Sequence, residues 1–147
     1  MEYTIVSGKD FNEARKRIRE SKGKEIVFTS NDDELNRKVL EKENIAVLLI
    51  NQKGRKDKGK QRDSGFNQVL AKIAKKKGVS LGINLDEILM SSPEERAEIL
   101  GRIRQNIKLC NKDKLKIRFI YKDKGNNHDL KALGLVLGMP TWIVKDL

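Results

Sequence analysis

The stretch IAVLLI at residues 45–50 decides the fold, because all six of its side chains are apolar. A short apolar run between turn signals is typical of a strand that is covered on both faces, as in a parallel sheet. Outward from this run, strand-like and helix-like stretches alternate along the chain. The predicted strands are residues 3–6, 25–29, 45–50, 79–84, 116–121 and 141–144.

Helical patterns separate nearly all of these strands. Asp10 with Glu13, Asn31 with Glu34, and the string Ser92-Pro93-Glu94-Glu95 have the spacing of helix N-caps. The predicted helices are one that begins at residue 11 and places Phe11, Ala14 and Ile18 on one face, followed by 31–42, 66–77, 92–111 and 126–137. Strands that alternate with helices build a parallel sheet with right-handed crossovers. With about six strands, the sheet stays open or closes into a reduced barrel, since a complete eight-unit barrel needs about 200 residues or more.

The composition fits a single globular domain spanning residues 1–147. The chain is 37% hydrophobic and 36% charged, and its apolar residues are periodic, which argues against disorder. Neither an apolar run of membrane-spanning length nor an apolar signal core is present, and the single cysteine excludes an internal disulfide. We therefore expect a cytoplasmic protein without a membrane partner.

The positive charge is unevenly distributed along the chain. Residues 1–50 hold ten Lys/Arg and ten Asp/Glu, whereas residues 51–147 hold 22 and 11, so the whole net charge of +11 lies in the second part. This asymmetry predicts a polyanionic partner such as a nucleic acid. The alternative is a lysine-rich surface that only water contacts.

The segment NQKGRKDKGKQRDS at residues 51–64 is the most basic part of the chain. It follows a predicted strand and has six cations and no aliphatic residue, which indicates a mobile surface loop with a binding role. Further basic surface is expected on the next two helices, and Arg102, Arg104 and Lys108 supply it on the long one. Aromatic residues make up only 5% of the chain, which favours recognition of the phosphate backbone over base stacking.

Catalytic motifs are nearly absent. The chain has one histidine, His128, and one cysteine, Cys110, too few for a His/Cys zinc site, and Cys110 lies on an inner helical stripe as a packing residue. No phosphate-binding glycine motif follows a strand. We therefore expect no catalytic residue, no metal site and no bound cofactor. A carboxylate-only Mg²⁺ site stays open as an alternative, with candidate ligands Asp57, Asp63, Asp86 and Glu87.

Four stretches, taken in order, resemble the archaeal ribonuclease P protein component 3 family. They are RDSGFNQVLAKIAKKKGVSLGI (62–83), LDEILMSSPEERAEILGRIRQNIKLC (85–110), KIRFIY (116–121) and HDLKALGLVLGM (128–139), so the resemblance covers about residues 60–140. The ordered combination of D-x-G-x-x-x-V-L-A-K, S-x-x-E-R-A and D-L-x-A-L-G-x-V-x-G-M carries the specificity.

The resemblance implies a TIM-barrel-like α/β fold, here reduced to about six parallel strands. It implies a protein subunit of the ribonucleoprotein that removes the 5′ leader from precursor tRNA. In that particle the RNA is the catalyst and uses Mg²⁺. The expected partners are ribonuclease P RNA, precursor tRNA and ribonuclease P protein component 2, and this chain alone is expected to be non-catalytic.

The same resemblance assigns basic positions to RNA contact and leaves others in doubt. Arg62, Lys72, Lys76, Lys77 and Arg96 match basic positions of the family, whereas Gln68 and His128 depart from its pattern. Together with the basic loop and the long helix, the predicted RNA-binding residues are Lys53, Arg55, Lys56, Lys58, Lys60, Arg62, Lys72, Lys76, Lys77, Arg96 and Arg104. The alternatives are a stand-alone metal-dependent nuclease or phosphoesterase on a TIM-like fold and a generic basic RNA-binding protein.

Overall fold

In a computed structural model, five parallel strands form one sheet whose order follows the sequence. They are β1 Tyr3–Val6, β2 Glu25–Thr29, β3 Val47–Leu49, β4 Ser80–Asn84 and β5 Ile117–Ile120. The structure describes residues 3–57, 62–122 and 127–147, with the backbone only for 127 and 128. The predicted parallel β/α repeat is confirmed.

In the described residues, seven helices accompany the sheet. They are α1 Phe11–Glu20, α2 Asp33–Lys42, α3 Gln68–Lys77, α4 Leu85–Met90, α5 Pro93–Lys112, α6 Asn127–Val136 and α7 Thr141–Val144. Asp10 caps α1 and Ser92 caps α5, as the sequence predicts. The predicted cap Asn31 is wrong, since Asp32 accepts the backbone N–H groups of Glu34 and Leu35. No helix among the described residues is long and apolar enough to cross a membrane.

The strand order places the main helices on one face of the sheet. Each right-handed crossover moves the chain one strand in the same direction, so successive helices stack on the same side, as in a β/α barrel. Alternate strand residues such as Phe28, Leu48 and Leu81 point into a core shared with α1, α2, α3 and α5. Residues between them, including Val27, Val47 and Leu49, are buried on the opposite, inner face.

The sheet is strongly curved. In a flat sheet β1 and β5 would lie four strand spacings apart, about 19 Å. Instead the Tyr3 hydroxyl of β1 donates to the carbonyl of Tyr121, just past β5, at 2.9 Å. Arg118 of β5 also reaches Glu25 of β2, with Nη1 and Oε2 3.1 Å apart. The architecture is therefore a partial barrel whose inner face is filled by side chains.

The predicted sixth strand, residues 141–144, is wrong. These residues form α7, in which the backbone N–H of Val144 donates to the carbonyl of Pro140 at 3.1 Å. The side chain of Trp142 donates to Asn111 Oδ1 at 3.1 Å and ties this helix to the end of α5. Tertiary contact has thus overridden the strand preference of a β-branched and aromatic sequence.

Two other elements differ from the prediction. No pattern in the sequence indicated α4, which begins directly where β4 ends. Phe66 precedes α3, because Asn67 is the N-cap of that helix. On the helices themselves, Val69 is 50% exposed although it stands next to the buried Leu70, and Ala97 of α5 is exposed as well.

Candidate nucleic-acid interface

The connection between β3 and α3, residues 50–67, begins at the carboxyl edge of the sheet, where loops of β/α folds carry binding sites. Its described parts are anchored. Gln52 is buried and donates from Nε2 to the carbonyls of Ile50 and Ser64 at 3.3 and 3.0 Å. Ser64 is buried as well and donates to Asn106 Oδ1 of α5 at 2.6 Å. The described parts of the predicted loop, residues 51–57 and 62–64, are therefore hydrogen-bonded to the body of the protein.

Arg102 of α5 holds the same connection from the side. Its Nη2 donates to the Arg55 carbonyl at 2.7 Å, and its Nη1 donates to the Gln52 carbonyl at 3.4 Å. Its Nε donates to Asp57 Oδ1 at 3.0 Å. The residue is 2% exposed, so its placement on the basic surface is wrong. The planar guanidinium uses three of its donors to fix one stretch of backbone.

Asp57 joins the two described ends of the connection. Its Oδ1 accepts both the Arg102 side chain and the backbone N–H of Asp63, the latter at 2.9 Å. The Asp63 N–H, followed by the Arg102 guanidinium, lowers the pKa of Asp57 below its ordinary value, although partial burial opposes them. Asp57 is therefore an ionised anchor at neutral pH.

Arg55 is also held in place. Its Nη1 and Nη2 pair with the two carboxylate oxygens of Asp33 at 3.1 and 2.8 Å, and its Nε donates to the Asn51 carbonyl at 2.7 Å. A bidentate pair of this kind is among the stronger protein hydrogen-bond geometries. Arg55 therefore joins the connection to the start of α2, and its donors are engaged within the protein.

Glu87 of α4 accepts a hydrogen bond from the backbone of the connection. Its Oε1 accepts the backbone N–H of Gln52 at 2.6 Å. Burial raises the pKa of Glu87, while the N–H groups of Gln52 and Lys53 and the charges of Arg55 and Lys53 act against the rise. This partly buried carboxyl group therefore touches the backbone of the basic segment directly.

Three cations of the connection face solvent at the carboxyl edge, namely Lys53, Lys56 and Arg62, here called the carboxyl-edge group. Arg62 crosses over α5 at Gly101, where an added Cβ would lie 2.7 Å from the Arg62 Cζ. The absent side chain of Gly101 therefore leaves the space in which the guanidinium sits. The predicted contacts Lys58 and Lys60 lie outside the described residues.

A second set of predicted contacts stands on α3. Lys72, Lys76 and Lys77 are exposed and are here called the amino-edge group. The ten residues of α3 span about 15 Å and lead from the carboxyl edge back to the start of β4. Lys77 donates to the carbonyl of Glu41 at 3.4 Å. The predicted cations are therefore divided between two regions instead of forming one.

The remaining two predicted contacts differ in exposure. Arg96 donates from Nε to the Ile88 carbonyl and from Nη2 to the Ser91 carbonyl, both at 3.0 Å, so it caps the end of α4. Arg104 is exposed on α5. The RNA contacts themselves stay predictions. The side chains of Arg55 and Arg96 are hydrogen-bonded within the protein, which the sequence did not reveal.

A cleft of about 420 Å³ lies beside Arg62, between the starts of α2 and α3 and the flank of α5. Its lining mixes Arg37 and Arg62 with the carboxylates of Asp33, Glu34 and Asp63. Because acids and bases alternate around it, the cleft has no strong preference for phosphate.

The carboxylates proposed for a Mg²⁺ site do not converge. Asp57 binds Arg102, Glu87 binds Gln52, and Asp86 accepts the backbone N–H of Lys122 at 3.1 Å. In residues 3–57, 62–122 and 129–147 no group of three or more His, Cys, Asp or Glu side chains is placed to hold a metal ion.

Neutral side chains line the described part of the inner rim, and the cysteine is buried. Asn84 donates to Asn51 at 2.9 Å, and Asn51 donates to the hydroxyl of Thr29 at 3.3 Å. These neutral groups occupy the rim where β/α barrels place their chemistry. Cys110 is buried, and burial with the charge of Asp113 raises the pKa of its thiol to about 12, which confirms its packing role. The side chain of His128 lies outside the description.

Sequence reasoning placed Arg102 on the basic surface and did not single out Asn106, although both hold the connection after β3. Both lie one turn apart on the buried face of α5, 4% exposed or less, among Ile99, Ile103 and Ile107. The available signal was the spacing, because positions three to four residues from buried isoleucines share their face. A polar residue on such a face requires a polar partner, which is the connection after β3.

No protein-family model matches the chain. Among curated proteins, ribonuclease P protein component 3 of Methanococcus maripaludis is 27% identical over 109 residues, which is 73% of this chain and 44% of the relative. The component 3 proteins of Methanosarcina acetivorans and Thermococcus kodakarensis are 31% and 32% identical over 87 and 85 residues. These cover 59% and 54% of this chain, and 34% and 38% of the relatives.

A solved structure shares the fold. A chain from the cryo-EM structure of archaeal ribonuclease P with mature tRNA superposes with a TM-score of 0.79 at 23% identity, over 96% of this chain and 62% of that chain. The structural likeness therefore extends well before residue 60, where the four stretches quoted from the sequence begin. The chain spans less than half the length of the curated relatives it matches.

Proposed function

Because the chain is a relative of the archaeal ribonuclease P protein component 3 family, we propose that it is an RNA-binding protein subunit of ribonuclease P. Its task is to support the RNA-catalysed removal of the 5′ leader from precursor tRNA. In this proposal the RNA supplies the catalytic Mg²⁺ and the chain binds no cofactor. Ribonuclease P protein component 2 is the proposed protein partner, and the particle works in the cytoplasm.

The exposed lysines of residues 51–147 carry this proposal. Among the described lysines, Lys116 alone has a carboxylate within 4.0 Å, the side chain of Asp146 at 3.4 Å. The surplus charge therefore stands on side chains that are not neutralised by the protein. Such cations release counterions when they meet phosphates, which is the main source of affinity for nucleic-acid backbones.

The carboxyl-edge group is the proposed principal contact with RNA. Lys53, Lys56 and Arg62 project from backbone that is fixed by buried hydrogen bonds, so little conformational freedom is lost on binding. By neutralising phosphates there, the chain lets the catalytic RNA fold and hold its substrate at lower Mg²⁺. The amino-edge group adds a weaker, non-directional attraction.

Reconstitution tests the proposal. Precursor tRNA cleavage is measured over a Mg²⁺ series with archaeal ribonuclease P RNA and component 2, with and without this chain. We expect the chain to lower the Mg²⁺ concentration needed for half-maximal cleavage. No change in either the Mg²⁺ requirement or the turnover would refute the subunit role.

Two controls separate the alternatives. The chain alone with Mg²⁺ or Mn²⁺ should leave precursor tRNA intact, and cleavage that Asp63→Asn abolishes would favour a stand-alone nuclease. Ribonuclease P RNA should also outcompete bulk tRNA at ~150 mM salt, since non-specific binding weakens steeply there. Equal competition would reduce the chain to a generic basic binder.

A further inference from the structure

We propose that Arg102 is a positioning residue for RNA binding, which holds the backbone that carries the carboxyl-edge group without itself touching RNA. This inference rests on the proposed function and names a residue through which that function operates. Lys53 and Lys56 are the cations it positions on one side of Asp57, and Arg62 is the cation on the other.

The geometry behind the proposal is a single side chain that reaches three points of one segment. The Arg102 guanidinium binds the carbonyls of Gln52 and Arg55 and the carboxylate of Asp57. Two of these points immediately precede Lys53 and Lys56 in the chain. Each of these lysines therefore leaves the backbone next to a carbonyl that Arg102 holds.

The third point extends the effect to Arg62. Asp57 Oδ1 accepts Arg102 Nε and the backbone N–H of Asp63, the residue that follows Arg62. The backbone of Arg62 is also tied to α5, because its carbonyl accepts Gln105 Nε2 at 3.4 Å. The Arg102–Asp57 pair thus fixes the backbone on both sides of the basic segment against one helix.

Direct contact between Arg102 and RNA would require the protein to open. The side chain is 3% exposed and three of its nitrogens already have acceptors. Arg102 therefore affects the affinity for RNA by holding the backbone of the carboxyl-edge group in one conformation. Loss of that order would add a conformational cost to binding without removing a phosphate contact.

The experiment compares Arg102→Lys with wild type. Lysine keeps the charge but cannot form the planar fork that bridges three acceptors. Affinity for archaeal ribonuclease P RNA is measured from 50 to 400 mM salt, on samples whose folded fraction is measured in parallel by circular dichroism. Arg17→Lys, the same change at an exposed, ion-paired arginine on α1, is the matched control.

We expect Arg102→Lys to lower affinity roughly tenfold per folded molecule, with the slope of log K against log salt unchanged. Asp57→Asn should act in the same direction, and the double variant should be no weaker than the weaker single, because both act through one pair. A slope reduced by about 0.9 in Arg102→Gln, which removes the charge, would mean that Arg102 contacts phosphate itself. That outcome, or unchanged affinity in the folded variant, would overturn the inference.

Failure of this inference is distinguishable from failure of the proposed function. If wild-type chain binds the RNA and lowers its Mg²⁺ requirement while Arg102→Lys behaves like wild type, only the positioning role falls. If wild-type chain neither binds nor supports cleavage, the subunit role itself is wrong.

Discussion

At the carboxyl edge of the sheet the cations belong to a hydrogen-bonded framework, whereas at the amino edge they stand on the last turns of a helix. Arg55 and Arg102 at the first edge are engaged by Asp33 and Asp57, and they fix the backbone of Lys53 and its neighbours. Lys72 and Lys76 at the second edge keep flexible side chains in solvent. The two groups carry the same number of charges, but only the carboxyl-edge charges stand on a fixed backbone. A fixed backbone holds each charge in a defined position toward its partner.

The division of labour follows side-chain chemistry. Arginine presents a rigid fork that suits carboxylates and carbonyls, while lysine is a strongly hydrated point charge on a flexible stem. In this chain four described arginines after residue 50 satisfy protein acceptors, namely Arg55, Arg96, Arg102 and Arg118. The number of arginines after residue 50 therefore overstates how many guanidinium groups are free to meet a polyanion.

The largest expected effect tests α3, the helix that sets the distance between the two edges. Leu70 is 4% exposed, so Leu70→Ala should lower the free energy of unfolding by about 2–5 kcal/mol through lost burial and a residual cavity. Urea denaturation measures the loss. The neighbouring change Val69→Ala, at a residue that is 50% exposed, should stay within about 0.5 kcal/mol. Similar losses at both positions would mean that α3 is not packed as described.

Two matched triple variants test the comparison itself. Lys53→Ala with Lys56→Ala and Arg62→Ala removes three charges at the carboxyl edge, and Lys72→Ala with Lys76→Ala and Lys77→Ala removes three at the amino edge. The first should weaken binding of ribonuclease P RNA on the order of 100-fold at ~0.15 M salt and reduce the salt slope by about 3. The second should have a clearly smaller effect on both.

Equal losses in the two triples would show that order contributes nothing and that only charge counts. A larger loss in the amino-edge triple would move the principal RNA contact to α3. Thermal denaturation of both variants checks that the fold persists, since all six side chains are exposed.

A smaller effect is expected at Gly101, where stability and binding should change in opposite directions. Gly101→Ala removes a glycine from a helix interior, which should stabilise the chain by up to about 1 kcal/mol. The new methyl group would lie 2.7 Å from the Arg62 Cζ and displace an exposed, flexible guanidinium. Binding of the RNA should fall less than about fivefold, the worth of one phosphate contact.

The Arg62→Ala background provides the control for this prediction. There Gly101→Ala should still stabilise the chain in urea denaturation but cause no further loss of affinity. An additional loss of affinity would show that the methyl group disturbs the interface by another route than Arg62.

The fold was largely predictable because its signals are local and repeated. The apolar run 45–50 predicts a buried strand, and Asp10 and Ser92 predict the starts of two helices. The alternation of strands and helices predicts the parallel sheet. The strand predicted at 141–144 is wrong because Trp142 is bound to Asn111 at the end of α5 and the backbone makes helical hydrogen bonds, such as that from Val144 N–H to the Pro140 carbonyl. Local preference is a weak guide where four residues form the element.

The candidate site was predictable in composition but not in arrangement. The sequence located the basic segment after β3, yet it could not tell which cations are engaged within the protein. Arg102 and Lys108 look alike in the sequence, but one is buried against Asp57 and the other is exposed, because α5 turns by about 100° per residue. Partners such as Asp57 and Glu87 are 45 and 35 residues distant from the groups they bind.

The smallest expected effect concerns the pH dependence of stability and tests how the carboxyl-edge backbone is anchored. Burial raises the pKa of Glu87 above its ordinary value of 4.5, so its protonated form is favoured by folding. The contribution of Glu87 to stability is therefore fully present below pH 4.5 and is lost as pH rises through the folded-state pKa. Glu87→Gln keeps an acceptor for the Gln52 N–H but does not titrate.

Urea denaturation of wild type and Glu87→Gln at intervals from pH 4 to pH 8 measures this contribution. The stability of wild type relative to the variant should decline across that range and then level off. Asp57 titrates in the opposite sense in both proteins, because its lowered pKa supports the fold above its ordinary value of 3.8 and that support is lost in acid, so the difference isolates Glu87. A difference that is constant with pH would mean that folding does not raise the pKa of Glu87, and that this carboxyl group is not buried against the connection after β3.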